Sequence, residues 1–277
     1  MNVLKLAAFS QNGQGGNPAG VAFYDEMPAA EEMLKIAAEV GYSETAFLVK
    51  QEDGWRVRYF APQTEVPFCG HATIALGAAL GEKFGENTYK LYLNDSQISV
   101  RAQKSKEGVI TTTLQSPGTS SEEAAAGYVE KMLAAFNLKQ TDLDPAFPVR
   151  IASAGAKHLV LVLKDRKTLA DMNYEFDIVR AFMAEKNLVT ISLLWKESDN
   201  VFHARNPFPP GGVYEDPATG AAAAAFAGYL RDINWTGSKT FTILQGEDMG
   251  VPSRLNVSFT PKAGESIAVS GEVRHIS

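Results

Sequence analysis

The chain is poor in cysteine, because Cys69 is the one cysteine among its 277 residues. No disulfide can therefore form within the chain, and this composition fits a reducing compartment. The opening residues also lack the basic start and the long apolar stretch of a secretory signal peptide. These absences together predict a cytoplasmic protein.

Long apolar runs and an excess of basic charge are missing as well. The longest uncharged helical stretch, 217–230, is dominated by alanine and is shorter than the roughly 20 apolar residues that span a bilayer. Acidic residues (32) outnumber basic ones (26), and the formal net charge is −6. This charge balance does not fit binding to nucleic acid or to an anionic membrane. We therefore expect a soluble protein.

What the chain does contain is a pair of matching helix starts. Residues 68–73 read Phe-Cys-Gly-His-Ala-Thr, and residues 214–220 read Tyr-Glu-Asp-Pro-Ala-Thr-Gly. The two segments share an Ala-Thr pair, and each segment continues from that pair into a run of small and apolar residues. The first run carries no charge until Glu82, and the second carries none until Arg231. This repeat predicts two equivalent halves.

The two repeated helices predict the architecture. Residues 72–81 and 217–230 have no polar face, so we expect both helices to be buried on all sides. Their alanine and glycine residues let strands approach closely all round. The sequence therefore predicts a duplicated α+β protein with halves 1–115 and 116–277, each a curved sheet around one central helix, and a site in the cleft between them. Packing of the C-terminal strand against the first half is left open.

Short segments rich in valine, isoleucine, threonine and aromatic residues predict the strands. They are 3–9, 20–23, 45–49, 55–60, 89–93, 97–102 and 109–114 in the first half, and 149–153, 158–163, 189–195, 201–205, 239–244, 253–260 and 266–273 in the second. Amphipathic helices are predicted at 28–40, 122–137 and 176–186, and a linker at 116–121.

Glu44 is a candidate for acid–base chemistry. It lies where a predicted helix ends and an apolar strand begins. A carboxylate that enters a core strand must be paired, desolvated or functional. Desolvation raises the pKa of a glutamate, and a raised pKa suits a general base that works near neutral pH. A solvated loop position is the alternative, and the residue pattern leaves both open.

Further titratable residues cluster at the two helix starts. The positive end of a helix disfavours a cationic imidazole, so we expect a neutral His71 suited to hydrogen bonding or proton relay. The pKa of Cys69 is expected to fall at this position, although a buried apolar role fits too. Asp216 before a proline is a favoured N-cap, which needs no catalytic role, whereas its neighbour Glu215 either serves the site or faces solvent.

Metal and phosphate motifs are missing. No paired ligand spacing exists among the four histidines, which are His71, His158, His203 and His275, so no metal site is predicted. The glycine-rich stretch 13–20 lacks the Gly-Lys-Ser/Thr ending and the following helix of a phosphate loop. We expect it to be a loop or a plain turn.

Five segments occur together in one order along the chain. They are Gly-Asn-Pro-Ala-Gly-Val at 16–21, Ser-Glu-Thr-Ala-Phe at 43–47, Phe-Cys-Gly-His-Ala-Thr at 68–73, Glu-Asp-Pro-Ala-Thr-Gly at 215–220 and Gln-Gly at 245–246. With these segments the chain resembles the phenazine-biosynthesis (PhzF-like) isomerase family, which shares the diaminopimelate epimerase fold. The resemblance covers essentially the whole chain.

The resemblance implies a duplicated diaminopimelate epimerase-like fold, assembly as a homodimer, and catalysis without a cofactor or metal. It implies that Glu44 shuttles a proton on a small carboxylated substrate, while His71 and Asp216 line the site and orient that substrate. By the same match Gly70 offers its backbone N–H. The substrate-binding residues it implies are Asn17, Cys69, Gly70, Thr219, Gly220 and Ala221.

Two positions depart from the family pattern. Ala221 stands where the family commonly has a serine, so one hydroxyl that could bind substrate is missing. Val251 stands where an arginine is frequent. Both departures argue against the phenazine precursor, a dihydro-hydroxyanthranilate, as the substrate.

Three functions therefore remain open. The first is a cofactor-independent isomerase in which Glu44 moves a proton between carbon atoms. The second is an amino-acid epimerase or racemase, which would need a mixed pair of Glu44 and Cys69, because a two-thiol mechanism needs a second cysteine that the chain lacks. The third is a non-catalytic protein that binds a small acid. Retention of Glu44, His71 and Asp216 together favours an enzyme.

Overall fold

The computed structural model describes residues 3–276 of the chain. These residues form two compact units. Unit 1 consists of the described residues of Met1–Gln115, Val251–Arg254 and Ala268–Ser277, and unit 2 consists of Ser116–Gly250 and Leu255–Ile267. Residues 1, 2 and 277, to which the predicted halves and the signal-peptide prediction extend, lie outside the described residues. The last strand of the chain belongs to unit 1.

Both units alternate short strands with helices. The strands are β1 (Leu4–Ser10), β2 (Asn17–Tyr24), β3 (Glu44–Lys50), β4 (Trp55–Ala61), β5 (Thr64–Val66), β6 (Asn87–Tyr92), β7 (Gln97–Lys104), β8 (Ile110–Gln115), β9 (Ser120–Glu123), β10 (Arg150–Ser153), β11 (Lys157–Leu163), β12 (Leu188–Ser198), β13 (Val201–Phe208), β14 (Val213–Asp216), β15 (Thr240–Gln245), β16 (Ser253–Ser258) and β17 (Ala268–His275). The helices are α1 (Ala30–Val40), α2 (Gly70–Phe84), α3 (Ala126–Ala135), α4 (Arg166–Ala170), α5 (Phe176–Ala184) and α6 (Gly220–Asp232). Short 3-10 helices lie at Gln140–Asp142, Pro209–Gly211 and Glu247–Met249.

The strands of unit 1 pair in a closed circuit. β1 pairs with β2, β2 with β3 and β3 with β4, and β4 then pairs with β6. β6, β7 and β8 continue the circuit, and β17 closes it by pairing with both β8 and β1. The β2–β3 and β4–β6 pairs are parallel, and all the others in the circuit are antiparallel. The C-terminal strand is therefore an integral part of this barrel.

Helix α2 lies inside the barrel and contacts strands on every side of it. All its residues from Gly70 to Leu80 are buried. Glycine is required at two of its positions, because a Cβ on Gly77 would lie 2.4 Å from Thr112 Cγ2 and one on Gly81 would lie 2.6 Å from Ala102 Cβ. The small residues thus let the sheet wrap closely around the helix.

Unit 2 repeats this order of pairing. β9, β10 and β11 are antiparallel neighbours, β11 and β12 are parallel, β12 and β13 are antiparallel, and β13 and β15 are parallel. The parallel pairs again enclose helices, and α6 packs against β9, β10 and β11. The duplicated α+β fold that the repeated helix starts predict is confirmed.

Each unit also has an outer hydrophobic core. In unit 1, Met33 of α1 packs with Phe47 and Phe60 of the sheet. In unit 2, residues of α3 and α5 pack against β11 and β12, with Met132 and Met183 fully buried. Among the described residues, no helix is both long enough and apolar enough to cross a bilayer.

Every predicted strand overlaps an observed one, but several boundaries differ. Strand β9 lies where the end of a linker (116–121) and the start of a helix (122–137) are predicted. It pairs with β10. The glycine-rich stretch 13–20 becomes strand β2 from Asn17 onwards. β5, β14 and α4 are too short to give a periodic pattern and were not predicted.

The start of α6 also differs from the prediction. Asp216 ends strand β14, and the N-cap of α6 is Thr219. The side chain of Gln245 holds this segment from two sides, donating to the Asp216 carbonyl at 2.7 Å and accepting from the Thr219 N–H at 3.1 Å. These tertiary hydrogen bonds override the local preference of Asp-Pro for a helix start.

Candidate active site

Glu44 is placed by the end of one helix and the start of one strand. α1 ends at Gly41, whose φ of 72° reverses the chain in a conformation that favours glycine. Glu44 is the first residue of β3 and pairs with Ala19 on the parallel neighbour β2. Its side chain is buried, with 8% of the residue exposed. The predicted position at a helix-to-strand junction is confirmed, and the solvated-loop alternative is wrong.

His71 and Cys69 meet Glu44 from the first turn of α2. His71 Nε2 lies 3.3 Å from Glu44 Oε2 and 3.3 Å from Ser43 Oγ. Cys69 is the N-cap residue of α2, and its Sγ lies 3.3 Å from His71 Nδ1. Like Glu44, His71 and Cys69 are buried, with 6% and 8% exposed. Three titratable side chains therefore form one buried cluster, which we call the Glu44 cluster.

The carboxylate of Glu44 is poorly solvated. Its Oε2 accepts no hydrogen bond from the described residues, despite its nearness to His71. Burial raises the pKa of Glu44, and hydrogen bonds from the Ser43 and Cys69 side chains offset part of that rise. The raised pKa that the sequence predicts for this residue is confirmed in direction.

A buried hydrogen-bonded chain fixes the backbone of Cys69. Thr73 Oγ1 donates to the Cys69 carbonyl at 2.6 Å, so the hydroxyl of Tyr59 donates to Thr73 Oγ1, also at 2.6 Å. Burial raises the pKa of Tyr59 and keeps it a neutral donor. Sequence reasoning missed Tyr59 and Ser43. Ser43 directly precedes Glu44 in a segment already singled out, whereas no local pattern distinguishes Tyr59 from its strand neighbours.

Asp216 lies in a second buried cluster, in unit 2. Thr219 Oγ1 donates to Asp216 Oδ2 at 2.5 Å. Gln245 Nε2 donates to both the Asp216 carbonyl and Thr219 Oγ1, at 2.7 and 3.1 Å. The Gln-Gly segment at 245–246 thus orders the residues before α6.

Glu215 does not face solvent. Its carboxylate is paired with the Arg205 guanidinium, with Arg205 Nη2 donating to Glu215 Oε2 at 2.5 Å and Nε donating to Oε1 at 3.0 Å. Arg205 Nη1 donates to the Ala170 carbonyl at 2.8 Å. Arg205 sits on β13 opposite β14, so the pair links the strand that carries Asp216 to its neighbour.

The remaining predicted residues fall at element boundaries. Asn17 begins β2 and is buried. Gly70 is the first residue of α2, and Gly220 and Ala221 are the first two of α6. The structure thus places Asn17 and Gly70 in unit 1 with the Glu44 cluster, and places Thr219, Gly220 and Ala221 in unit 2 with Asp216.

The Glu44 cluster is chemically suited to proton transfer. A carboxylate whose pKa is raised is a better proton acceptor than an ordinary glutamate. The cluster also presents one oxygen, one sulfur and one nitrogen atom that all lie within 4.8 Å of one another. The prediction that the chain has no metal site rested on the spacing of its histidines. This set contains one histidine, so histidine spacing does not detect it.

Known proteins resemble the chain over almost its whole length. The family model described as phenazine biosynthesis-like protein (PhzC–PhzF) matches residues 6–275. The chain is 29% identical over 269 residues to the uncharacterized isomerase YfhB of Bacillus subtilis, covering 95% of this chain and 92% of that protein. It is 28% identical over 257 residues to a trans-2,3-dihydro-3-hydroxyanthranilate isomerase of Pseudomonas aeruginosa, covering 90% of this chain and 87% of that protein.

Solved structures share the fold. A PhzF-family phenazine biosynthesis protein of Bacillus anthracis has a TM-score of 0.86 at 22% identity, covering 99% of this chain and 96% of that one. A probable proline racemase from Agrobacterium radiobacter has a TM-score of 0.66 at 11% identity, covering 99% of this chain and 91% of that one. The predicted diaminopimelate epimerase-like fold class is thereby confirmed.

Proposed function

The chain belongs to the phenazine biosynthesis-like (PhzC–PhzF) family of isomerases, and from this premise we propose that it moves a proton between carbon atoms of a small carboxylated substrate without a cofactor. The observation that carries the proposal is the Glu44 carboxylate, which is buried and has an oxygen that accepts no hydrogen bond within the part of the chain that the structure describes. A desolvated carboxylate with an oxygen that is not already hydrogen-bonded is suited to removing a proton from carbon.

In this proposal Glu44 takes the proton from one carbon atom and returns it to another. His71, 3.3 Å from Glu44 Oε2, and the backbone N–H of Gly70 at the start of α2 stabilise the negative charge that develops on the substrate. Asp216, held by Thr219, orients the substrate. Each step transfers one proton and leaves the redox state of the substrate unchanged.

An epimerase or racemase is a second candidate, because a carboxyl group and a thiol are both present in the Glu44 cluster, where the side chain of Cys69 hydrogen-bonds to Glu44. Inversion needs the two groups on opposite faces of the substrate carbon, so Glu44 and Cys69 would have to separate and admit that carbon between them. A non-catalytic protein that binds a small acid is the third candidate.

The substrate class follows from the site and from the relatives. One relative is a trans-2,3-dihydro-3-hydroxyanthranilate isomerase, which supports a small carboxylated substrate here. Ala221 at the start of α6 carries no hydroxyl, and Val251 carries no charge. We propose that the substrate differs from the phenazine precursor at the groups that a serine and an arginine would bind. Assembly as a homodimer stays a prediction.

Hydrogen exchange at carbon tests the proposal. The protein is incubated in deuterated water with a panel of small hydroxy and amino acids, and deuterium at carbon is followed by mass spectrometry. A compound that copurifies with the protein, identified by mass spectrometry, is added to the panel. We expect exchange that Glu44→Gln abolishes, whereas Glu39→Gln on the exposed face of α1 leaves it unchanged.

The other outcomes separate the candidates. Exchange with inversion that is lost in Cys69→Ser would favour the epimerase. Tight binding without exchange would favour the non-catalytic binder. Undiminished exchange in Glu44→Gln would show that another group is the base.

A further inference from the structure

We propose that Asn206 and Asp216 form a subsite for the ammonium group of the substrate, and that the substrate is therefore an amino acid and not a hydroxy acid. Both residues belong to unit 2 and lie opposite each other on β13 and β14, the two strands before α6. The inference names the substrate class of the proposed isomerase, so its link to catalysis rests on that proposal. Binding of the ligand does not depend on catalysis and is measured separately.

The pairing of β13 with β14 puts the two side chains on one face. Asn206 lies directly opposite Asp216 in this antiparallel pair, and such residues have Cβ atoms about 4.5–5.5 Å apart. Phe202 shares the face of Asn206, because side chains alternate along a strand. The Phe202 ring packs on Phe226 of α6, with 5.0 Å between the ring centroids. The face that carries Asn206 and Asp216 is therefore directed towards α6.

The positive charge of this strand pair lies on the other face. Arg205 and Glu215 are each one residue away from Asn206 and Asp216, so their side chains point in the opposite direction. The Arg205 guanidinium donates to the Glu215 carboxylate and to the Ala170 carbonyl. Arg205 thus neutralises Glu215 and not Asp216.

Asn206 supplies the observation that points to a ligand. The residue is 2% exposed, and its Oδ1 is buried and accepts no hydrogen bond from any group within residues 3–276. A buried acceptor without a donor is costly, so we expect a donor from outside the chain. An ammonium group has three donors and can reach Asn206 Oδ1 and the Asp216 carboxylate together, whereas a hydroxyl has one.

Gln245 and Thr219 fix the direction of the hydrogen bonds at Asp216. The Thr219 N–H donates to Gln245 Oε1 at 3.1 Å, and Gln245 Nε2 donates to Thr219 Oγ1, also at 3.1 Å. Because Thr219 Oγ1 accepts there, its own hydrogen goes to Asp216 Oδ2 at 2.5 Å. That bond uses one of about four acceptor positions of a carboxylate. The network thus makes Asp216 an acceptor, which suits a ligand that donates.

The start of α6 suits the carboxylate of the same ligand. The first N–H groups of a helix lack intrahelical partners and favour an anion. The first turn of α6 contains no acidic residue, and its N-cap Thr219 directs its hydroxyl to Asp216 instead of capping the helix. Acceptors for an ammonium group and donors for a carboxylate therefore lie close together, which is the arrangement that a zwitterionic amino acid needs.

Matched ligands test the subsite directly in the unmodified protein. Isothermal titration calorimetry compares the standard amino acids, each in its L and D form, with the 2-hydroxy acids that carry the same side chains. We expect at least one amino acid to bind about 10- to 100-fold more tightly than its hydroxy counterpart, because a single hydroxyl leaves one buried acceptor without a donor. Equal affinities within every pair, or binding of no amino acid, would overturn the proposal.

Variants then locate the subsite. Asn206→Leu keeps the size of the side chain but removes Oδ1, and we expect it to weaken binding of the amino acid by about tenfold or more. His203→Gln, on the opposite face of the same strand, is the matched control and should keep the preference for the amino acid. A folded Asn206→Leu protein with the full preference would contradict the proposal. If circular dichroism shows that this variant does not fold, Asp216→Asn, which keeps the shape and removes the charge, should lose the preference.

Hydrogen exchange at carbon separates this inference from the proposed function. An amino acid that binds with the expected preference but shows no exchange would support the subsite and contradict the isomerase. Exchange on hydroxy acids without any preference for amino acids would support the isomerase and overturn the subsite.

Discussion

At the residue scale, Thr73 shows how one hydroxyl can serve two partners. It donates to the Cys69 carbonyl and accepts from the Tyr59 hydroxyl, and all three residues are buried. A buried donor that loses its acceptor costs about 1–3 kcal/mol, whereas removal of both partners can be nearly neutral. Which partner is removed, and whether both are, therefore decides the cost.

We expect Thr73→Val to destabilise the protein by about 1–3 kcal/mol, because it leaves the Tyr59 hydroxyl without its acceptor. Tyr59→Phe removes only a donor and should cost about 0.5–1.5 kcal/mol. The double variant should be less destabilised than the sum of the two single variants. Urea unfolding of the three variants measures these differences, and strict additivity would contradict the account.

A second residue-scale prediction concerns His158. Its ring is completely buried on β11, where Nδ1 lies 2.8 Å from Thr190 Oγ1. Burial lowers the pKa of His158 to about 3, below the value of about 6.5 that an unfolded chain has. Between these two values the unfolded state binds more protons, so the free energy of unfolding rises with pH.

The contribution of His158 to stability is therefore complete above about pH 6.5 and is lost as the pH falls towards 3, by about 1.4 kcal/mol for each pH unit. In His158→Leu this part of the pH dependence should disappear. Urea unfolding at several pH values between 4 and 7 compares the two proteins. Parallel curves for the two proteins would show that His158 does not titrate in this way.

At the element scale, the burial of α2 sets what its glycines tolerate. A Cβ on Gly77 would lie 2.4 Å from Thr112 Cγ2 and 2.6 Å from Val100 Cγ2. We expect Gly77→Ala to destabilise the protein by about 1–3 kcal/mol, because overpacking outweighs the gain of up to about 1 kcal/mol in helix propensity. Thermal unfolding measures the change.

Gly127 of α3 is the matched control. A Cβ there would meet nothing within 4 Å, so Gly127→Ala gains helix propensity without a clash. It should raise the stability by a few tenths of a kcal/mol to about 1 kcal/mol. If both substitutions changed stability in the same direction, packing inside the barrel would not explain the effect.

The elements also show how far the sequence is informative. Strands and long helices follow from periodic apolar residues, and α2 and α6 follow from their small residues. β9 was missed because its pairing with β10, and not its own residues Ser120–Glu123, makes it a strand. The start of α6 was misplaced because Gln245, distant in sequence, holds Asp216 and Thr219.

The features of the candidate site also divide into those that the sequence predicts and those that it does not. The contact of Glu44 with His71 joins two segments that the sequence had singled out separately. The pairing of Glu215 with Arg205 was not predictable, because it depends on the register of β13 against β14. Local motifs therefore identify the reactive residues, and tertiary pairing identifies which of them are structural.

At the scale of the whole molecule, the two halves share one arrangement of strands and helices but differ in their titratable side chains. The shift that superposes the two Ala-Thr pairs places Glu44 on Thr190. Glu44 is the first residue of β3 and is a buried carboxylate, whereas Thr190 lies near the start of β12 and contacts the buried ring of His158. The repeated order of strands and helices thus accounts for the shared fold, and the different side chains near the start of these two strands give unit 1 the reactive carboxylate.

The closure of the first barrel by the last strand predicts how the chain can be divided. Residues 3–115 lack β17, so β1 and β8 would each have an unpaired edge. We expect this fragment not to fold cooperatively by itself. In β17, Ala268 lies opposite Gln115 in an antiparallel pair. A two-residue Asn-Gly turn matches that geometry and should join the two strands directly.

A fragment that runs through residue 115, Asn-Gly and residues 268–277 should therefore regain a cooperative urea transition and a folded circular dichroism spectrum. The matched control carries Val269→Asp, which puts a charge at a fully buried position of β17 and should prevent folding. A cooperative transition in the fragment 3–115 without the added strand, or equal stability with and without Val269→Asp, would show that β17 does not complete the barrel.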